Sequence, residues 1–403
     1  MRLRYENVCI ESFGYDLPTE IVSTAELEQR LSPLYERLRL PQGRLELMTG
    51  IRERRFFPAD MPPSEASARS GARAIAATGI SKDKIGALIH GSVCRDFLEP
   101  ATACGVHRAL DLPKNCIIYD LSNACLGLLN GMLQAADLIE LGRIEAALVV
   151  GTENGRHLVE NTVQNLNESK SLTRDDVKLS IASLTIGAAS AAILLTHRSI
   201  SRTKNRLLGG HVLADTHNHT LCRSGRDEAR ADGVRPLMTT DSEALLHGGI
   251  AAAGEAFGGF LGALDWTIED IDKTVCHQVG IAHKKLLFQK LGLDPARDFS
   301  TFEFLGNTGS AALPVTAALG IEQGHLKTGD RVAMMGIGSG INVVMLGVEW
   351  QTAPLVAPAR ADDAVQSAET SSTAPPHGPI PGEPHIHRTG PLVTPAAAAK
   401  NRL

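Results

Sequence analysis

Apolar residues in the first 350 positions fall into short, nearly unbroken runs. They stand at IGALIHGSV (85–93), CIIYDLS (116–122), AALVVGTE (146–153) and SAAILLT (190–196). A second set follows at KTVCHQV (273–279), FSTFEF (299–304), RVAMMGIG (331–338) and INVVMLGVEW (341–350). Continuous rather than alternating apolar residues mark strands covered on both faces. Helically spaced stretches separate them, so the pattern predicts an α/β architecture.

One predicted helix stands out, after "DLSNACLG". Leu126, Leu129, Leu133 and Ala136 form a stripe, and Leu128, Met132 and Ile139 widen it. Asn130, Gln134 and Asp137 leave a narrow polar face, and Gly142 supplies a stop. Gly127 and Gly131 would weaken an exposed helix but permit close approach inside a core. Cys125 is expected in the first turn of this helix, where unpaired N–H groups and the dipole favour a thiolate. Alone, that position suits a space-filling thiol as well as a nucleophile.

The two sets of strands read as a degenerate duplication. GISKDKIGALIHGSV resembles WTIEDIDKTVCHQVG, and VHRALDLPKNCIIYDLSNACLGLL resembles FQKLGLDPARDFSTFEFLGNTGSAAL. ELGRIEAALVVGTENG resembles EQGHLKTGDRVAMMGIGSG, in the same order. The expected organisation is one half over 1–200, a second over 201–350 and a tail over 351–403. The halves are expected to pack face to face, meeting near THRSISRTKNRLLGG. A pseudo-twofold then sets Asn307 opposite Cys125 and brings His277 to the end of a second-half strand. A thiol, an imidazole and an amide gathered this way suit covalent catalysis with two hydrogen-bonding partners.

Composition narrows the classes. A net charge of −5 on 403 residues gives no basic footprint for nucleic acid. No apolar run approaches the roughly 20 residues of a spanning helix, so no membrane span is expected. The N-terminal MRLRYENVCIESFGYDLP has no sustained apolar core for a secretory leader. Seven cysteines without C-x-x-C spacing fit a reducing, cytoplasmic setting. The tail is rich in Pro, Ala, Ser and Thr and reads as disordered, with His385 and His387 solvated. His211, His217 and His219 lack the carboxylate support of a metal site, so no metal is expected.

DLSNACLG, HQVG, GNTGSAALP and GIGSGIN, in that order, resemble the thiolase superfamily, in particular its 3-oxoacyl-carrier-protein synthase III branch. TGIRERRFF resembles that branch too. The resemblance spans roughly residues 5–350. It implies a five-layered αβαβα thiolase-like fold, usually homodimeric, that performs Claisen condensation on acyl thioesters. By position, Cys125 would carry the first acyl group, and His277 and Asn307 would bind the carbonyl or enolate oxygen of the second substrate. The backbone N–H groups of Cys125 and Ser339 would form the oxyanion hole.

RDFLEP resembles the motif of the condensing enzymes of long-chain olefin biosynthesis. That likeness makes Glu99 the base that deprotonates a second fatty acyl-CoA, acting within the partner subunit's site. Condensing two unactivated acyl chains needs such a base, whereas decarboxylating a malonyl group does not. The expected substrates are therefore two fatty acyl-CoAs, with no cofactor besides their coenzyme A thioesters. The alternative is a decarboxylating synthase that uses a malonyl thioester. An acyltransferase or thioesterase that makes no C–C bond, and a subunit lending only Glu99 to a distinct partner, are the remaining readings. The segment QGRLELMTGIRER has no tryptophan, which in the carrier-protein synthases stacks on the adenine of coenzyme A. Arg52, Arg54 and Arg55 receive no assignment.

Overall fold

A computed structural model describes residues 1–224 and 237–352. Of the expected tail over 351–403, everything from 353 onward, with His385 and His387, lies outside the described residues. Ten strands carry the architecture. In the first half they are β1 (Val8–Asp16), β2 (Ile85–Gly91), β3 (Ile117–Leu121), β4 (Ala146–Asn154) and β5 (Ala188–His197). In the second they are β6 (Arg206–Ala214), β7 (Lys273–Cys276), β8 (Asp298–Phe299), β9 (Arg331–Gly338) and β10 (Asn342–Glu349).

The spatial order is β1-β5-β4-β2-β3 in one set and β6-β10-β9-β7-β8 in the other. The senses also repeat: β4, β2 and β3 run parallel, as do β9, β7 and β8, while β5 and β10 are antiparallel to both neighbours. The two sets touch edge to edge at a single pair, Cys9 with Arg206. The chain crosses from one set to the other between His197 and Arg206, and a short strand, Arg2–Arg4, adds to β6.

The continuous apolar strands are explained by what covers each face. In β4, Ala147 and Val149 point into the central core, while Ala146, Leu148 and Val150 join an outer cluster. In β9, Val332 and Met334 point inward, and Ala333, Met335 and Ile337 outward. Helices α1 (Pro63–Ala76) and α2 (Thr102–Leu110) cover the first sheet, and α3 (Gly127–Glu140) lies in the core. Helices α4 (Ser242–Leu264) and α5 (Ile281–Leu291) cover the second sheet, and α6 (Ala312–Glu322) shares the core with α3. Two sheets with helices between and outside them make the five-layered thiolase-like α/β fold expected from the motifs.

Two expectations change. FSTFEF is extended only at Asp298–Phe299, and Phe302–Leu305 forms a helical turn that buries Phe302 and Leu305 three residues apart. Helix α4, 23 residues with an 18-residue stretch of mean hydropathy 1.2, is long and apolar enough to cross a membrane by length and composition. Its glycines and alanines hid it from a search for bulky apolar runs. Its Ala252, Ala253, Ala256, Phe257 and Phe260 pack in the cluster over the second sheet.

Candidate active site

Helix α3 forms as its apolar spacing demands, with Leu128, Leu129, Met132, Leu133 and Ile139 buried. Each such side chain contributes about 2 kcal/mol on transfer from water. Gly142, at φ 65°, ends it by letting Gly142 N–H and Arg143 N–H donate to the Ile139 and Leu138 carbonyls at 2.9 Å. The helix meets β2 almost backbone to backbone. A Cβ on Gly91 would lie 2.5 Å from the Gly127 oxygen, and one on Gly131 2.6 Å from Val149 Cγ1.

Cys125 does not occupy the first turn. It stands just before it, after Ala124, whose φ of 45° is left-handed. A non-glycine residue there costs about 1 kcal/mol, and the result is a sharp strand-to-helix elbow with the thiol at its tip. Leu126 N–H donates to the Asn123 carbonyl at 2.9 Å and closes the turn. Withdrawal from solvent pushes the Cys125 thiol up to about 12. The resting group is therefore a neutral thiol, and the thiolate expected from the helix dipole is overruled by burial.

Gly338 packs beside this elbow: a Cβ there would be 3.6 Å from Cys125 N and 3.0 Å from Leu126 Cγ. Ser339 follows Gly338, so the turn that carries it begins at the elbow. Three asparagines brace the pair. Asn342 Nδ2 donates to Asn123 Oδ1 at 3.3 Å and to the Ser339 carbonyl at 3.2 Å. Asn123 Nδ2 in turn donates to Asn130 Oδ1 at 2.7 Å, so the polar face of α3 serves an internal bond.

His277 leaves the end of β7 with its N–H donating to the Met335 carbonyl at 2.9 Å. Met335 adjoins Gly336, whose Cβ position would meet Leu129 and Leu126, so His277 and Cys125 flank the same stretch of β9. The ring is buried and its Nδ1 has no partner among the described residues. Burial, with the neighbouring His283, lowers His277 to about 3, and burial lowers His283 to about 4. Both are neutral at pH 7. Buried Gln278 fixes the strand end, its Nε2 donating to the Cys276 carbonyl at 2.8 Å and its Oε1 accepting from Thr301 N–H at 3.1 Å.

Asn307 is held by backbone bonds to β5's approach: Asn307 N–H donates to the Thr185 carbonyl and Gly187 N–H to the Asn307 carbonyl, both at 2.9 Å. Its Oδ1 accepts from Gly309 N–H at 3.0 Å, which orients the amide. The following turn, Gly309–Ala311, packs against α3 and β4. Cys125 borders β9 through Gly338, His277 bonds to β9 through Met335, and the turn after Asn307 packs against α3 and β4.

Glu99 makes none of these contacts. It is exposed, and makes no hydrogen bond or ion pair among the described residues. Its loop is anchored at its base, with Asp96 Oδ1 accepting from Ser64 N–H at 2.9 Å, while Phe97 and Leu98 stand 64% and 68% exposed. Of the arginines, Arg52 pairs with Glu303 at 3.1 Å on the surface and Arg54 is buried against Thr24. His217 and His219 are exposed on the turn after β6, and His211 packs against Gly259. The residues that sequence reasoning missed are Glu153, Gln278, Asn123 and Asn342. Only Glu153 had a visible signal, a carboxylate closing an apolar strand run.

Two halves of one topology, closed around a cysteine elbow, define a thiolase-fold protein. Residues 47–207 match the model of the thiolase N-terminal domain, and residues 261–350 that of the 3-oxoacyl-[acyl-carrier-protein (ACP)] synthase III C-terminal domain. The chain is 42% identical over 351 residues to the acyl-CoA:acyl-CoA alkyltransferase of Shewanella oneidensis, covering 86% of this chain and all of that one. It is 34% identical over 346 residues to the acyl-CoA:acyl-CoA alkyltransferase of Xanthomonas campestris, covering 86% and 99%. It belongs to the acyl-CoA:acyl-CoA alkyltransferase family. A crystal structure of a Xanthomonas campestris OleA variant with bound lauric acid and lauroyl-CoA superposes with a TM-score of 0.80 at 34% identity, covering 86% of this chain and all of that one.

Proposed function

We propose that the chain joins two fatty acyl-CoAs by a non-decarboxylative Claisen condensation through an acyl-cysteine. The observation that carries the reading is Cys125 at the tip of the Ala124 elbow, packed beside Gly338, in a chain of this family. Cys125 sulfur attacks the thioester carbonyl of the first substrate and coenzyme A leaves with the proton. The N–H groups of Cys125 and Ser339 hold the oxyanion.

Glu99 of the partner subunit then takes a proton from Cα of the second acyl-CoA. Neutral His277 and Asn307 donate hydrogen bonds to its carbonyl oxygen as negative charge develops there. The carbanion attacks the acyl-Cys125 carbonyl, a C–C bond forms, and the thiol is released with a 2-alkyl-3-oxoacyl product. Hydrolysis of that thioester gives the free acid.

Two features support a second copy of the chain. Strand β3 ends the sheet order, with Ile117 47% exposed, so one edge is free to pair. Phe97 and Leu98 flank Glu99 with apolar surface that a homodimer would cover. The same reading sets the enzyme in the cytoplasm, in olefin biosynthesis, with no cofactor beyond its thioester substrates.

A cavity of about 400 Å³ is lined by none of these residues but by others that include Leu31, Leu34, Leu45, Arg44 and Arg174. The test is mass spectrometry of intact protein and products with myristoyl-CoA alone. A Cys125 acyl adduct with a 3-oxo acid, or the ketone it decays to, is expected. Turnover only after adding a malonyl thioester would overturn the reading in favour of the decarboxylating synthase.

A further inference from the structure

Glu153 closes β4 in the interior and has no part in the steps above. Its Oε1 lies 2.6 Å from Ser310 Oγ and 3.4 Å from Ser310 N, and it accepts from Val93 N–H at 3.2 Å. Ser310 follows Asn307 in the same turn, and Val93 opens the loop that carries Glu99. The contact with the Asn307 turn is tight, since a Cβ on Gly309 would fall 2.9 Å from Glu153 Cγ. The same loop is pinned again beside it: Ser92 Oγ donates to the Thr152 carbonyl at 2.7 Å, and Cys94 N–H to Ser92 Oγ at 3.0 Å.

The hydrogen count around Ser310 favours a protonated carboxyl. Ser310 Oγ has one hydrogen but lies near two acceptors, Glu153 Oε1 and, at 3.0 Å, the Gly91 carbonyl. A proton on Glu153 satisfies all three groups, with Glu153 donating to Ser310 and Ser310 to Gly91. The groups facing Glu153 are Ser310, the Val93 amide, and the Cys94 and Cys125 thiols, none of them cationic. Burial raises its affinity for the proton, against the bonds from Ser310, Val93 and Cys94.

We propose that Glu153 is a positioning residue, an uncharged clamp that joins the Asn307 turn to the Glu99 loop beside Cys125. The donor in a subunit's own site and the base it lends to its partner are then held in one register. The inference rests on the proposed function for the roles of Asn307 and Glu99, but its chemistry at Cys125 can be read separately.

The test compares wild type, Glu153→Gln and Glu153→Ala. Acylation of Cys125, condensation, and iodoacetamide alkylation of Cys125 are each followed against pH. Glutamine keeps the neutral clamp, so both half-reactions should stay within about threefold of wild type. Alanine should leave acylation nearly intact and lower the kcat of condensation at least about tenfold without raising KM. In wild type, alkylation should climb less than tenfold per pH unit where Glu153 ionises, and the Gln variant should lose that break.

A Gln variant as impaired as Ala would overturn the proposal in favour of a charged or proton-transferring group. Equal loss of both half-reactions in Ala, or no loss, would also overturn it. If the Ala variant does not fold, the Gln profile decides: an unchanged break in pH dependence refutes the neutral clamp. If wild type acylates but does not condense two acyl-CoAs, the functional reading fails, while the alkylation profiles still judge Glu153.

Discussion

Asn342 Nδ2 donates to Asn123 Oδ1 across the junction of the halves, at 3.3 Å. This bond joins the turn that carries Cys125 to the turn that carries Ser339. In the proposed oxyanion hole, this bond fixes the two amides relative to each other. Asn342→Ala removes this donor and the one to the Ser339 carbonyl. Acylation of Cys125 should slow about 10- to 100-fold, with substrate affinity little changed. Pre-steady-state measurement of the acyl adduct checks it.

The meeting of Gly91 and Gly127 predicts a steric sensitivity. Gly91→Ala puts a methyl 2.5 Å from the Gly127 oxygen, which forces α3 off the sheet and moves Cys125. Destabilisation of about 1–3 kcal/mol is expected, together with loss of acylation. Gly142→Ala is the contrast: it meets nothing within 4 Å, and its φ of 65° costs about 1 kcal/mol. Urea denaturation and the acylation assay should separate the two variants.

Acid should unfold the protein partly through His277. Its folded pKa, about 3, lies below the reference value of 6.5, so the unfolded chain binds the proton more readily. Stability from this group is full above pH 6.5 and is lost as pH falls toward 3. Between pH 7 and pH 5 the loss should be about 2 kcal/mol. His277→Gln should show a flatter dependence in urea denaturation at the two pH values.

Complementation tests where Glu99 acts. Cys125→Ser and Glu99→Gln should each lower condensation at least about 100-fold as homodimers. Random mixing makes half the dimers hybrid, each with one site that has both an intact cysteine and a partner's glutamate. About a quarter of wild-type activity should return. A Glu99 that works within its own subunit would restore nothing.

The sheet and its duplication could be read before any coordinates because most of the strands are nearly unbroken apolar runs that repeat in the same order. β1 and β6 escaped that reading: YENVCIESFGYD and NRLLGGHVLAD mix polar residues and glycines among the apolar ones. Cys125, His277 and Asn307 could be named because short motifs surround them. The bracing could not, since Asn123, Gln278 and Asn342 matter through partners distant in sequence. Glu153 likewise becomes intelligible only once Val93 and Ser310 close over it. The protonation of Cys125 was misjudged for the same reason: a helix dipole is visible locally, whereas burial is a property of the whole fold.

The repeated strand order also has a meaning in time. β1 pairs with β5, and β6 with β10, so the opening strand of each half waits for the closing one. At ribosomal speeds β1 spends on the order of ten seconds or more without its neighbour. Helix α3 lacks its second cover until β9 emerges, near the end of the chain. During synthesis Cys125 is therefore an open, solvated thiol, with the ordinary reactivity of one, and it becomes a protected group only as the last strands arrive.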